Sequence, residues 1–206
     1  MSDGNTRDVL PIVQCGDPVL RRAAEPVDPA DLRSAGLRRL IAAMRATMEA
    51  APGVGLAAPQ VGVPLQLAVV QDGPERWASL TEEELAARER DALPFTVLVN
   101  PAVTPVDGDG LAGFYEGCLS VPGLAALVAR HRAVRVKALD SRGEPVDRVY
   151  SGWPARIVQH EADHLGGRLY LDRAEARSLT TAENYARLWA GRPPADAAAA
   201  LGFTLS

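Results

Sequence analysis

A short stretch near residue 160 carries side chains whose types and spacing suit a metal ion. His160 and His164 are four residues apart, so on a helix both imidazoles lie on one face, one turn apart. Glu161 directly follows the first histidine, where its carboxylate can take a proton from a water molecule that the ion activates. The alternative is a solvated helix whose polar side chains only face water. Because the H-E-x-x-H pattern is short, it does not by itself distinguish a metal site from a solvated helix, and other parts of the sequence are needed to do so.

Two other stretches contain candidates for the same site. A thiolate from Cys118 would complete a three-ligand metal site with one position open, whereas without the histidine pair a core cysteine would be favoured. Gln60 ends a glycine-rich stretch, and its neutral amide can polarise an oxygen without titrating. Taken alone, Gln60 is more often a surface residue than a catalytic one. Ligand type by itself suggests zinc.

Length and composition predict one globular domain of ordinary solubility. The chain has 206 residues, of which 47% are hydrophobic and 23% charged, which is typical of soluble domains. A net charge of -4 leaves no electrostatic footprint for nucleic acid. No apolar run is long enough for a membrane span, and the polar N-terminus lacks a signal-peptide core. We expect a flexible N-terminus over residues 1–9, a single catalytic domain over residues 10–190 and a loosely packed tail over residues 191–206.

Hydrophobic periodicity predicts which elements surround these candidate residues. Residues 31–50 form an amphipathic pattern typical of a helix, and residues 155–165 predict a second helix that ends at a Gly-Gly pair. Alternating residues between 127 and 149 indicate half-buried antiparallel strands. The charged stretch 72–92 looks like a solvated surface insertion, and His131 belongs to an exposed pattern that argues against a ligand role. The expected fold is α+β, with antiparallel sheets packed around the helix that carries the two histidines.

Together, three stretches resemble the signature motifs of the peptide deformylases, in the same order. They are Gly53–Gln60 (GVGLAAPQ), Glu116–Ser120 (EGCLS) and Gln159–Leu165 (QHEADHL). The likeness runs from about residue 10 to about residue 185. It implies a metal-dependent hydrolase that removes the N-formyl group from the formyl-methionine at the start of newly made polypeptides, releasing formate.

The resemblance also assigns roles to individual residues. The metal ligands would be Cys118, His160 and His164. Glu161 would act as general base and then as acid toward the leaving amine, while the Gln60 amide and the Leu119 backbone N–H would stabilise the developing oxyanion. The substrate chain would pair as an added strand with the backbone of Val54, Gly55, Tyr115, Glu116 and Gly117.

The resemblance further implies a cofactor and partners. One divalent metal ion per chain is expected, Fe²⁺ in cells, with Zn²⁺, Ni²⁺ or Co²⁺ able to substitute. The partners would be N-formylmethionyl peptides and nascent chains met at the ribosome. Neither nucleic acid nor a membrane is expected as a partner, and the cytoplasm is the expected location.

Five positions leave open questions. Many relatives carry an arginine where this chain has Ala125, which puts one substrate contact in doubt. Arg130 can pair with Asp163 and so orient a ligand histidine, or both can be exposed charges. Trp153 and Ile157 are candidates for the wall of a methionine pocket, although core packing is the safer interpretation of Trp153.

Two other functions compete with the deformylase hypothesis. One is an H-E-x-x-H metallopeptidase with Glu183 as a downstream ligand, which would leave Cys118 and the glycine-rich stretch unexplained. The other is a non-catalytic, deformylase-like protein that binds metal and peptide. The presence of both Glu161 and Gln60 argues against that second alternative.

Overall fold

The computed structural model describes residues 9–78 and 80–205, so residues 1–8 of the predicted flexible N-terminus lie outside it. The strands in the described residues are β1 (Gly55–Ala57), β2 (Leu67–Asp72), β3 (Leu93–Pro105), β4 (Leu111–Cys118), β5 (Val121–His131), β6 (Ala133–Leu139), β7 (Pro145–Ser151) and β8 (Thr180–Thr181). The α-helices there are α1 (Ala35–Ala50), α2 (Glu82–Ala87), α3 (Gly152–Leu165), α4 (Ala182–Asn184) and α5 (Pro194–Leu201).

Two antiparallel sheets make up the framework. Five strands form the first sheet in the order β1-β2-β3-β6-β7, and three strands form the second in the order β4-β5-β8. All neighbouring strands run antiparallel. Helix α3 contacts strands of both sheets, including β1, β2 and β5. The predicted α+β class with antiparallel sheets is therefore confirmed.

Helix α1 covers one face of the five-stranded sheet. Its apolar residues Leu37, Ile41, Met44 and Met48 pack against buried residues of β2 and β3. The predicted start at residue 31 is wrong, because residues Pro29–Arg33 form a separate 3-10 helix. The α-helix begins after Ser34, whose side chain accepts a hydrogen bond from the Leu37 N–H as an N-cap.

Helix α3 follows strand β7 without a connecting loop and carries the H-E-x-x-H residues. It begins at Gly152, three residues before the predicted start, and ends at Leu165, with Gly166 as the C-cap. Ile157 and Val158 face a core shared with strands β2, β3 and β6. His160 and His164 follow Ile157 by three and seven residues and so share its side of the helix, where Cys118 at the end of strand β4 comes close to them.

Two segments outside the core differ from their predictions. The C-terminal tail forms helix α5, which buries Ala197 and Ala198 and contacts β4, so the expectation of a loosely packed tail is wrong there. The predicted solvated insertion contains the fully buried Asp72 and the largely buried Trp77. Asp72 pairs with Arg90 of the same stretch, and the Arg90 guanidinium also lies against the Trp77 ring. No helix in the described ranges is long and apolar enough to cross a membrane.

Candidate active site

Helix α3 and the end of strand β4 bring together one thiol and two imidazoles. The ligand atoms of Cys118, His160 and His164 all lie within 4.8 Å of one another. The Cys118 Sγ is 3.3 Å from the His164 Nε2. Each residue aims one soft or borderline donor at a common point, and this donor set fits a divalent metal ion such as zinc or iron.

The electrostatics of the two histidines also fit a cation. Burial, with His160 as the next cause, holds the pKa of His164 well below its ordinary value, which keeps that imidazole neutral and free to ligate. Burial also opposes charge on His160, but contacts with Cys118 and Glu116 outweigh it and raise the pKa of His160 well above 6.5. Cys118 and Glu116, which stabilise a proton on His160, would stabilise a metal cation by the same electrostatic attraction.

A buried carboxylate fixes the orientation of His160. Glu116 Oε2 lies 2.9 Å from the His160 Nδ1, which leaves the Nε2 of that ring for a metal ion. The carboxylate also accepts hydrogen bonds from Arg130, at 2.6 and 2.9 Å, and from Arg156 at 2.5 Å. Burial opposes ionisation of Glu116, yet Arg130 and His160 hold its pKa well below the usual range. Sequence reasoning placed only the backbone of Glu116 in the site and overlooked Arg156 altogether.

A second buried carboxylate lies on the far side of the same network. The Arg130 guanidinium donates to Asp163 at 2.8 Å, so these residues form the predicted pair and are not two exposed charges. Arg173 and Arg168 donate to the same carboxylate from the half-exposed side. Arg130 therefore links the strand that carries it to the helix between the two histidines.

Glu161 is buried beside the candidate ligands, and its Oε2 has no hydrogen-bond partner among the described residues. Burial raises the pKa of Glu161 to about 7. A carboxyl group with such a pKa can both accept and return a proton near neutral pH. The edge of β1 passes so close that a Cβ at Gly55 would lie 2.1 Å from the Glu161 Oε1. Glycine at position 55 thus leaves the space that the carboxylate occupies.

We expect Gly55→Ala to fold but to lose about 100-fold in turnover, because a misplacement of 1 Å at a reacting group can cost that much. The added methyl group must push the Glu161 carboxylate away from its position. Formate release would be measured beside Gly36→Ala, where the nearest atom to a new Cβ is 3.8 Å away. Full activity in Gly55→Ala would contradict the tight fit.

Gln60 presents its amide to the thiol. The Gln60 Oε1 accepts from the Ala57 N–H at 2.8 Å, so the Nε2 is the atom that faces the site. It lies 3.5 Å from the Cys118 Sγ and 3.3 Å from the Ser120 Oγ. With only 2% of its surface exposed, Gln60 is not the surface residue that its type alone favours.

These groups open onto one cleft of about 510 Å³. Its lining includes all of the predicted site residues except the buried His164. The cleft runs between β1 and β4, each an edge strand of its own sheet. Trp153 and Ile157 also line it, so both are cleft-wall residues even though Ile157 packs in the core as well.

The remaining candidates lie elsewhere. Ala125 is buried and pairs with Thr180 of β8, and unlike its neighbour Leu124 it does not line the cleft. His131 is exposed, as predicted, and Glu183 is exposed at the start of α4. Neither belongs to the metal-ligand group found among the described residues.

The site combines a thiol and two imidazoles around one point with a buried carboxyl group and a cleft bordered by two edge strands. This combination is typical of a metal-dependent hydrolase. The family model for polypeptide deformylase matches residues 9–179. Peptide deformylase 1 of Streptomyces coelicolor is 58% identical over 196 residues, covering 95% of this chain and 87% of the relative. The chain belongs to the peptide deformylase family.

Two further similarities agree with this assignment. Peptide deformylase 3 of Streptomyces avermitilis is also 58% identical over 196 residues, covering 95% of this chain and 85% of the relative. A crystal structure of peptide deformylase from Acinetobacter baumannii, solved with Met-Ala-Ser bound, superposes with a TM-score of 0.71 at 37% identity. It covers 81% of this chain and 99% of that one.

The family and the site together establish the activity. The chain is a metal-dependent enzyme that removes the N-formyl group from the N-terminal formyl-methionine of newly made polypeptides, releasing formate. The comparisons support neither the H-E-x-x-H metallopeptidase nor the non-catalytic binding protein as the function of this chain.

Proposed function

We propose that Cys118, His160 and His164 hold one divalent metal ion, which is Fe²⁺ in cells and can be replaced by Zn²⁺, Ni²⁺ or Co²⁺. Support comes from the three ligand atoms within 4.8 Å and from the anionic groups around His160. When bound, such an ion acts as a Lewis acid that polarises the formyl carbonyl and lowers the pKa of water. We further propose that residues 10–190 form the single catalytic domain.

Glu161 is the proton carrier in this proposal. Its carboxylate takes a proton from the water molecule that attacks the formyl carbon, and the C–N bond then breaks. The same carboxyl group returns the proton to the leaving amine, so that formate and a free N-terminus result. A pKa of about 7, raised by burial, suits both halves of this exchange.

Two neutral donors stabilise the charge that develops on the formyl oxygen. Gln60 offers its Nε2, since its Oε1 is already bound to the Ala57 N–H. Leu119 offers its backbone N–H from the turn between β4 and β5, where Gln14 donates to the Leu119 carbonyl at 3.4 Å. Preorganised donors of this kind act most strongly in a site with little water.

The substrate peptide lies in the cleft as an added strand. The pairing edges are the backbone groups of Val54 and Gly55 in or beside β1 and of Tyr115, Glu116 and Gly117 in β4. Among the described residues, neither β1 nor β4 has a neighbouring strand on its cleft side. The Met-Ala-Ser peptide bound to the A. baumannii relative supports a substrate that begins with methionine. We propose nascent chains at the ribosome, in the cytoplasm, as its natural source.

The observation that carries this proposal is the convergence of three ligand atoms and Glu161 in one cleft. Formate release from formyl-Met-Ala-Ser should be measured on protein purified without oxygen, with metal content determined on the same sample. Acetyl-Met-Ala-Ser is the matched control, and we expect turnover of the formyl peptide alone. Full metal occupancy without formate release would contradict the proposal.

We expect Glu116→Gln to weaken metal retention by about 10- to 100-fold, the usual effect of removing a group that orients a ligand histidine. The neutral amide would leave Arg130 and Arg156 without their shared counter-ion, so the free energy of unfolding should also fall. Competition with a chelator measures the metal affinity. The exposed Glu25 provides the control Glu25→Gln, and equal metal affinity in both variants would refute the orienting role.

A further inference from the structure

The connection between β2 and β3 docks onto the first turn of the catalytic helix. The Trp153 N–H donates to the Glu89 carbonyl at 3.2 Å. Gly152 has a φ of +59°, and a Cβ there would lie 2.3 Å from the same carbonyl oxygen. The two backbones therefore meet at a distance that only glycine permits. The segment 73–92 belongs to the stretch 72–92 that sequence analysis interpreted as a solvated insertion, and it is thus joined to the helix that carries the proposed metal ligands.

Arg90 of this segment is held in one orientation. It donates to Asp72 through the Nε at 2.8 Å and the Nη2 at 3.0 Å. The Asp72 side chain is fully buried, and that of Arg90 is 11% exposed. Such a bidentate pair fixes the plane of the guanidinium as well as its position.

The fixed guanidinium lies against the indole of Trp153. The Arg90 Cζ is 5.1 Å from the Trp153 ring centroid, and the Arg88 Cζ lies 5.9 Å from the same ring. Both distances are within the range of cation–π attraction. No described residue accepts a hydrogen bond from the buried Trp153 Nε1. Stacking and packing therefore orient the indole, with Phe114 in an edge contact at 5.9 Å.

The same indole lines the substrate cleft, beside Val54 and Ile157. Its position consequently determines how much room an apolar substrate side chain has there. We propose that Arg90 is a positioning residue that holds Trp153 as a wall of the methionine pocket, so that segment 73–92 sets the preference for the first side chain of the substrate. This inference rests on the proposed placement of the peptide in the cleft.

The proposal predicts an effect on side-chain selectivity and none on the chemical step. Arg90 touches neither the ligands nor Glu161 in any described contact. A formyl-Ala peptide has no side chain long enough to reach the indole, so its turnover should not depend on Arg90. A formyl-Met peptide should lose affinity when the wall moves, which appears as a higher KM with an unchanged kcat.

Two variants test this prediction. Arg90→Lys keeps a positive charge for Asp72 but loses the planar group that stacks. The double variant Asp72→Asn with Arg90→Met removes both charges, so that no buried carboxylate is left unpaired. In each, kcat and KM are measured for formyl-Met-Ala-Ser and formyl-Ala-Ala-Ser. We expect kcat/KM for formyl-Met-Ala-Ser, divided by kcat/KM for formyl-Ala-Ala-Ser, to fall by about tenfold. A loss of this size is typical of one missing methylene contact in an apolar pocket.

A matched control is Arg45→Lys on helix α1. Arg45 lies 4.4 Å from the Phe95 ring centroid and pairs with Glu49, and none of these three residues lines the cleft. In Arg45→Lys, the ratio of kcat/KM for the formyl-Met peptide to that for the formyl-Ala peptide should equal the ratio of the unmodified enzyme. An unchanged ratio in the double variant, or an equal loss for both peptides, would overturn the proposal. If the unmodified enzyme released no formate from either peptide, the proposed function would fail instead.

Discussion

Replacement of Glu161 by alanine should leave the metal ion bound and reduce formate release by about 10²- to 10⁴-fold, the usual contribution of a positioned general base. None of the three ligand atoms belongs to Glu161, so the ion keeps its protein donors. The water molecule, however, loses the group that takes its proton. Turnover of formyl-Met-Ala-Ser and metal content should be determined on one preparation.

The control for this experiment is Glu183→Ala. Glu183 is exposed, and it is the residue that a metallopeptidase interpretation would use as a ligand. We expect full activity and full metal content in that variant. Loss of metal from Glu161→Ala, or undiminished turnover, would show that the buried carboxyl group has a different role.

Replacement of Gln60 by glutamate should lower kcat by about 10²- to 10³-fold, the cost of removing one donor from an oxyanion site. The substitution keeps an acceptor for the Ala57 N–H, so the local turn retains its hydrogen bond. What changes is the Nε2 donor beside the Cys118 Sγ, which becomes an oxygen that repels the developing charge. Because this interaction forms mainly in the transition state, KM should change little.

Gln66→Glu is the matched control for Gln60. The Gln66 Nε2 donates to the Ala24 carbonyl at 3.2 Å, outside the residues that line the cleft. This variant loses an amide donor of the same kind without facing the substrate, and it should retain full turnover. A large rise in KM for Gln60→Glu with unchanged kcat would mean that the amide only binds the ground state.

The two carboxyl groups of the site act differently because their surroundings differ. Glu116 is held ionised by Arg130, Arg156 and His160 despite its burial. Glu161 is also buried, but no described residue donates a hydrogen bond to its Oε2, and burial raises its pKa to about 7. We therefore expect one carboxylate to orient a proposed metal ligand and the other to exchange a proton.

Much of the site could be predicted from local sequence. Four-residue spacing places His160 and His164 on one face of any α-helix, and the same geometry places Glu161 beside that face. The alternating strands and the end of helix α3 before the Gly166-Gly167 pair also follow from periodicity and turn residues. The donor types of Cys118 and Gln60 identified them as candidates, because each has a chemical use that its neighbours lack.

Tertiary structure decided which side chains surround these groups. Glu116 and Arg156 are 40 residues apart in the chain, and no local pattern reports that they meet. Arg90 reaches Trp153 only because strands β2 and β3 bring segment 73–92 to the start of α3. Periodicity reports which face of an element is apolar, whereas the partner of a buried charge depends on how distant elements pack. The amino-acid sequence by itself therefore determined which groups are available to react. The fold determined their orientation and the walls of the cleft around them.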